Sequence, residues 1–124
     1  MSILLAWAAV FAALFVIPIL VYGAASALTG IQPPGGDPRA FLTGVAVSKA
    51  GTALAFVGLW LVARDAPGFS PLIYVALWWG MFVIGEVGQA LGPDYSRTEA
   101  IAGGISETLY LPLAGWILTR LLPV

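Results

Sequence analysis

Four long apolar runs constrain the fold of this chain more than any other feature of its sequence. They cover residues 3–28, 41–63, 71–91 and 100–122, and each holds about the 20 residues that an α-helix needs to cross a bilayer. Only 9% of the residues are charged, whereas about 25% are charged in an average soluble domain. The sequence therefore predicts an all-α integral membrane protein, a four-transmembrane-helix bundle that forms one domain over residues 1–124.

Short connections rich in proline and glycine separate these runs. The first run has no basic segment before it and is longer than the apolar part of a signal peptide, so we interpret it as a retained helix. Asp37 followed by Pro38, and Ser70 followed by Pro71, are typical of an N-cap and the first residue of a helix. We therefore expect the second and third helices to begin at these two prolines or close to them.

The second and fourth runs resemble each other, together with the loops before them. The two segments are GDPRAFLTGVAVSKAGTALAFVGLWLVAR and GPDYSRTEAIAGGISETLYLPLAGWILTR. At a spacing of 58 residues the matched pairs include Lys49 with Glu107 and Ser48 with Ser106, and after a two-residue gap Trp60 matches Trp116. We interpret this as an internal repeat. Two duplicated helical hairpins of equal orientation would then be related by a pseudo-two-fold axis along the membrane normal.

Three charged residues, Lys49, Glu86 and Glu107, lie deep inside the apolar runs. A charged side chain that faces lipid is destabilising by several kcal/mol, so such residues normally face a protein interior or water. If the helices alternate in direction, a rise of 1.5 Å per residue puts all three roughly 9 to 16 Å from the face with the first and third connections. We therefore expect a buried salt bridge between Lys49 and Glu107, with Glu86 close to it.

Polar side chains near these three charges complete the candidate binding site. The residues that can offer a hydroxyl or an amide group are Tyr22, Ser48, Gln89 and Ser106. Two acids and one base leave one carboxylate without a full partner, so Glu86 or Glu107 could exchange a proton or hold a cation. The alternative is a fixed Lys–Glu pair that only holds the helices together. We expect the charges of the third connection, Asp94, Arg97 and Glu99, to be solvated.

The residue types that the chain lacks exclude several functions. Without Cys or His there is no thiol catalysis, no zinc site of the usual kind, no haem ligation by histidine and no Ser-His-Asp triad. We expect no metal, no cofactor and no catalytic residues, and an intramembrane enzyme is the least favoured class. A net charge of −1 with five Lys and Arg residues provides no basic surface for nucleic acid.

Two classes of function remain. The first is a small multi-pass transporter or ligand-binding protein of the bacterial inner membrane, proton-coupled and assembled as a homodimer. The second is a non-catalytic accessory subunit of a larger membrane complex, in which the polar cluster is structural. The partners are then the lipid bilayer and either a second copy or other subunits. Two arginines lie at each end of the predicted bundle, so the positive-inside rule does not set the orientation.

Overall fold

The computed structural model describes residues 2–31 and 37–124. Within them the chain forms four α-helices, and all four are long and apolar enough to cross a membrane, as the sequence predicts. The helices are α1 (Ser2–Thr29), α2 (Pro38–Ala63), α3 (Pro71–Ala90) and α4 (Arg97–Leu121). Their ends lie within three residues of the ends of the predicted runs. Residues 32–36, the middle of the predicted first connection, lie outside the described residues.

Side-chain caps determine where three of the helices begin. The Asp37 side chain accepts hydrogen bonds from backbone N–H groups of the first turn of α2, and Pro38 is the first residue of that helix. Ser70 and Pro71 play the same parts at the start of α3, and Ser96 caps α4. Each cap satisfies donors that the helix itself leaves unpaired, and proline fits the first position because it has no N–H to satisfy. The two predicted caps are thus confirmed.

Helix α4 is the central element of the bundle. Helices α1 and α3 pack along it, whereas α2 packs on α1 and its backbone stands off from both α3 and α4. The Trp7 indole donates a hydrogen bond of 3.1 Å to the Ala50 carbonyl and so ties α1 to α2. Half of the most apolar stretch of α4 is buried, compared with 6% in α3. The residues of α4 therefore have most of the bundle interior around them.

The positions that the internal repeat would make equivalent lie in different surroundings. Trp60 is completely buried, but its match Trp116 is 55% exposed. Ser106 is 1% exposed, whereas its match Ser48 lies on the surface. A two-fold relation would also make α2 equivalent to α4, yet only α4 is central. The duplication accordingly stays an interpretation of the sequence.

Candidate functional site

A cavity of about 510 Å³ opens at the end of the bundle that carries the first and third connections. The C-terminal halves of α1 and α3 and the N-terminal halves of α2 and α4 enclose it. Its apolar walls include Pro18, Ile19, Phe41, Leu42 and Val45. Its polar lining includes Tyr22, Lys49, Glu86, Asp94, Tyr95, Glu99, Ser106, Glu107 and Tyr110. Four of these residues are acidic and one is basic, so we call this space the acidic cavity.

A glycine in α4 makes room for the carboxylate of Glu86. A Cβ atom at Gly103 would collide with the Glu86 carboxylate, so that group lies directly on the α4 backbone. Glu107 follows Gly103 by one helical turn, so its side chain lies beside the Glu86 carboxylate in the lining of the cavity. Two carboxyl groups from adjacent helices therefore meet in the wall of the cavity. Two ionised carboxylates at such a position repel each other.

Glu107 is the most deeply buried acid of the cavity, with 6% of its surface exposed. Its Oε1 atom is buried and has no hydrogen-bond donor among the described residues. A buried polar atom without a partner destabilises a fold by about 1–3 kcal/mol, and more if it is charged. Glu107 lines the cavity, but its Oε1 atom has almost no surface open to it, so a donor in this space would meet that atom only after the carboxyl group turns toward the cavity.

Two tyrosines connect the carboxyl pair to the turn between α3 and α4. The Tyr95 hydroxyl donates a hydrogen bond of 2.6 Å to Glu86 Oε2, and it lies 3.2 Å from the Tyr22 hydroxyl. The Tyr22 hydroxyl also lies 3.2 Å from the Glu99 carbonyl oxygen, which it can use as an acceptor. Burial, followed by the hydrogen bond to Glu86, raises the pKa of Tyr95, which therefore stays neutral and able to donate. A continuous hydrogen-bond path thus leads from the pair toward the third connection.

Lys49 does not form the expected salt bridge with Glu107. Its Nζ atom donates a hydrogen bond of 3.1 Å to the Tyr110 hydroxyl and lies 4.8 Å from the centre of the Tyr110 ring. No ion pair forms between any of the residues that the structure describes. Since α2 stands off from α4, the lysine side chain crosses the gap to a ring that projects one turn beyond Glu107. A cation over an aromatic face is stabilised without a carboxylate.

The remaining predicted site residues divide into two groups. Tyr22 and Ser106 line the cavity, and the Ser106 hydroxyl donates a hydrogen bond of 2.8 Å to the Ala102 carbonyl. Ser48 and Gln89 lie on the outer surface and do not line it. A helix turns by 100° per residue, so Ser48 points well away from its neighbour Lys49. Gln89 lies three residues after Glu86, and this rotation is enough to place it outside the cavity.

Four acidic or tyrosine residues of the cavity lining were not among the predicted site residues. Glu99, expected in a solvated loop, lies in the first turn of α4 and lines the cavity, as does Asp94 in the preceding turn. Tyr95 and Tyr110 provide the hydroxyls that bind Glu86 and Lys49. A search for aromatic hydroxyls one turn from a buried acid would have found Tyr110, but only the folded turn brings Tyr95 to Glu86.

The opposite end of the bundle is closed by five aromatic side chains in edge-to-face or tilted contact, which we call the aromatic layer. They are Phe56, Trp60, Phe69, Tyr74 and Trp78, and neighbouring ring centres lie as close as 5.1 Å. The Trp60 indole donates a hydrogen bond of 2.8 Å to the Leu122 carbonyl, and the Tyr74 hydroxyl donates to the Phe56 carbonyl. These bonds satisfy the polar atoms of the buried rings, so this end can pack without water.

The described residues contain no group of three or more His, Cys, Asp or Glu side chains placed to hold a metal ion. The polar groups that line the cavity are hydroxyls, carboxyls and one ammonium group, and apolar side chains surround them. Comparison of the chain with protein-family models, with curated proteins and with solved structures finds no match.

Proposed function

We propose that this chain is a small multi-pass membrane protein, of the bacterial inner membrane, that binds a small molecule in the acidic cavity and exchanges it for a proton on the Glu86–Glu107 pair. Transport by this exchange is the function that the geometry supports best. The observation that carries the proposal is the buried Glu107 Oε1 atom, which has no donor among the described residues and belongs to a side chain that lines a cavity of about 510 Å³. Small-molecule sites commonly have volumes of about 300–1,000 Å³ and few polar groups.

The distribution of polar and apolar surface supports insertion in a membrane. Large apolar side chains are exposed along all four helices, including Leu20, Leu54, Ile84 and Ile101. A soluble domain would bury most such residues, whereas lipid tails solvate them. The acids of α3 and α4 that would be costly in lipid, Glu86 and Glu107, face the cavity instead.

The carboxyl pair supplies the proton step. A pair that holds one proton can release it when a positively charged or strongly donating group binds, because the second carboxylate is then stabilised by the ligand. The Tyr95 and Tyr22 hydroxyls provide hydrogen-bonded positions between this pair and the third connection. The proton and the ligand would therefore use the same end of the bundle.

Outward-facing glycines support assembly with a second chain. Gly44, Gly51 and Gly58 recur every seven residues along α2, and a Cβ atom at any of them would meet nothing within 4 Å. Membrane helices pack closely where small residues let two backbones approach. We infer a homodimer in which α2 packs on its copy, and the duplicated hairpins would give such a dimer two similar halves.

The same glycines favour the second candidate, an accessory subunit of a larger membrane complex. In that case α2 packs on a different protein and the carboxyl pair has only a structural part. Native mass spectrometry of the tagged protein, extracted gently from its own membranes, separates the two candidates by the mass of the assembly. A stoichiometric unlike subunit favours the accessory role, and a dimer with a retained small molecule favours the transporter.

The proton step has its own test, which needs no knowledge of the ligand. Infrared difference spectra between neutral and alkaline pH report the carbonyl band of a carboxyl group that is still protonated at neutral pH, where exposed carboxyl groups are already ionised. We expect wild type to show a band that is lost in both Glu86→Gln and Glu107→Gln, because either change removes half of the pair. The exposed Asp65 provides a matched control, Asp65→Asn, which should keep the band. A band that both glutamine variants retain would contradict the proposal.

A further inference from the structure

The chemistry of the acidic cavity narrows the kind of molecule that it can hold. Its lining contains four carboxylic acids and one lysine, so an anion would meet repulsion from most of the charged groups. This disfavours carboxylates and also phosphate-containing lipids. A neutral molecule could occupy the apolar part but would leave the surplus negative charge without compensation.

The unpaired Glu107 oxygen indicates a donor. A carboxylate oxygen only accepts hydrogen bonds, and Glu107 Oε1 has no donor among the described residues. An ammonium group supplies both a donor and a positive charge, and charge-assisted hydrogen bonds are the strongest that a buried carboxylate can make. Water could donate a hydrogen bond to the same atom, but the apolar side chains of the cavity would then stay in contact with water, which is unfavourable.

The size and walls of the cavity favour an organic cation over an inorganic one. A volume of about 510 Å³ is many times the roughly 30 Å³ that one water occupies. Hard metal cations require six or more oxygen ligands, and the described residues provide no such group of acids. The side chains of Ile19, Phe41, Leu42 and Val45 instead form an apolar surface beside the carboxyl pair.

The charge of Lys49 limits how far a cationic group can enter the cavity. Its ammonium group is held over the Tyr110 ring at the end of the cavity nearest the aromatic layer, where it would repel a second cation. A ligand ammonium group is therefore favoured on the other side of Glu107, toward Glu86 and the third connection. The Tyr22 ring borders that space and can contact a cation with its aromatic face.

We infer that the acidic cavity accepts an amphipathic organic amine, with its ammonium group hydrogen-bonded to Glu107 and its hydrocarbon part against α1 and α2. This inference rests on the proposed function and adds the class of substrate. Binding replaces the proton of the carboxyl pair with the ammonium charge, so charge in the cavity stays balanced.

The test compares two probes of equal length, n-octylamine and n-octanol, by calorimetric titration of the protein in lipid nanodiscs, with empty nanodiscs subtracted. We expect octylamine to bind wild type at least tenfold more tightly than octanol. Glu107→Gln should remove this preference, while Asp65→Asn should keep it. If Glu107→Gln does not fold, Glu107→Asp serves instead: it keeps the charge but withdraws it by one methylene group, so the preference should shrink.

The possible results separate the two proposals. Equal binding of the two probes by wild type would overturn the inference on amines but leave a ligand-binding cavity in place. A preference that Glu107→Gln retains would also overturn it, since the amine would then bind elsewhere. Val45→Trp fills the cavity and should therefore prevent retention of a small molecule in native mass spectrometry. If neither probe binds wild type, and Val45→Trp leaves the native mass spectrum unchanged, the proposed binding function itself fails.

Discussion

The two ends of this bundle solve the problem of buried polar groups in opposite ways. In the aromatic layer the Trp60 indole and the Tyr74 hydroxyl both donate hydrogen bonds to backbone carbonyls, those of Leu122 and Phe56. In the acidic cavity Glu107 Oε1 has no donor within residues 2–31 and 37–124, and four acids share a space with one lysine. Under the function that we propose, one end serves packing and the other end holds a ligand. Changes at the first should alter stability, and changes at the second should alter binding.

The largest expected effect is that of Trp60→Ala. Trp60 is fully buried, packs against Phe69 and Tyr74, and donates a hydrogen bond to Leu122. Replacement of a large buried aromatic residue by alanine typically lowers the free energy of unfolding by about 3–5 kcal/mol. Thermal unfolding in detergent measures this loss. The matched control is Trp116→Ala at an exposed position, where the change should stay within about 0.5 kcal/mol. Equal effects would mean that the repeat-related positions are equivalent after all.

Two glycines of α4 test the comparison directly, because each lies against α3 in a different half. A Cβ atom at Gly115 would collide with the stiff, branched side chain of Val75. We expect Gly115→Ala to lower the free energy of unfolding by about 1–3 kcal/mol, as overpacking does. At Gly103 the colliding group is the end of the flexible Glu86 side chain, which can move.

We therefore expect the free energy of unfolding of Gly103→Ala to lie within about 1 kcal/mol of the wild-type value, since alanine is also the better helix former. The same variant should weaken octylamine binding, because it displaces Glu86 from the carboxyl pair. Unfolding curves and calorimetric titrations of both variants check the pattern. A Gly103→Ala protein that is unstable but binds octylamine normally would contradict the proposal that this end of the bundle serves binding and the other end serves packing.

Tyr95→Phe is expected to have a moderate effect that depends on pH. The hydroxyl bonds a carboxyl group, and loss of such a bond lowers the free energy of unfolding by about 1.5 kcal/mol. The folded state raises the pKa of Tyr95 above its ordinary value. The contribution is therefore fully present below the unfolded value of about 10 and is lost as pH rises from there toward the raised value. Unfolding of both proteins at pH 7 and pH 11 should show a difference that narrows at pH 11. A constant difference would contradict this.

The smallest expected effect is the coupling between Lys49 and Glu107. Removal of one partner from a buried ion pair lowers stability by about 3–5 kcal/mol, but Lys49 donates a hydrogen bond to Tyr110 and forms no ion pair with any described residue. A double-mutant cycle with Lys49→Met and Glu107→Gln should therefore give a coupling below about 1 kcal/mol in the free energy of unfolding. A larger coupling would restore the salt bridge that the sequence predicts.

Features set by local sequence were predictable, and features set by helix rotation were not. The number of helices and the caps at Asp37 and Ser70 follow from apolar length and local hydrogen bonding. The depths of Lys49, Glu86 and Glu107 follow from the helical rise, and all three do line one cavity. The partner of Lys49 depends on how far α2 stands from α4, which no local pattern encodes. The outward position of Gln89 depends on the rotation of α3 about its own axis, which the spacing from Glu86 does not fix.

The unequal surroundings of the tryptophans give the protein an internal optical reporter. Trp60 is sealed in the aromatic layer, while Trp79 and Trp116 are 40% and 55% exposed on the outside of the bundle. Brominated acyl chains quench indole fluorescence only on contact. In a chain that retains Trp60 as its single tryptophan, the Trp60 fluorescence should not be quenched by brominated lipid while the protein is folded. The fluorescence intensity should fall when the aromatic layer opens and lipid contacts the indole. The packed end of the molecule can in this way report its own integrity while ligands are tested at the other.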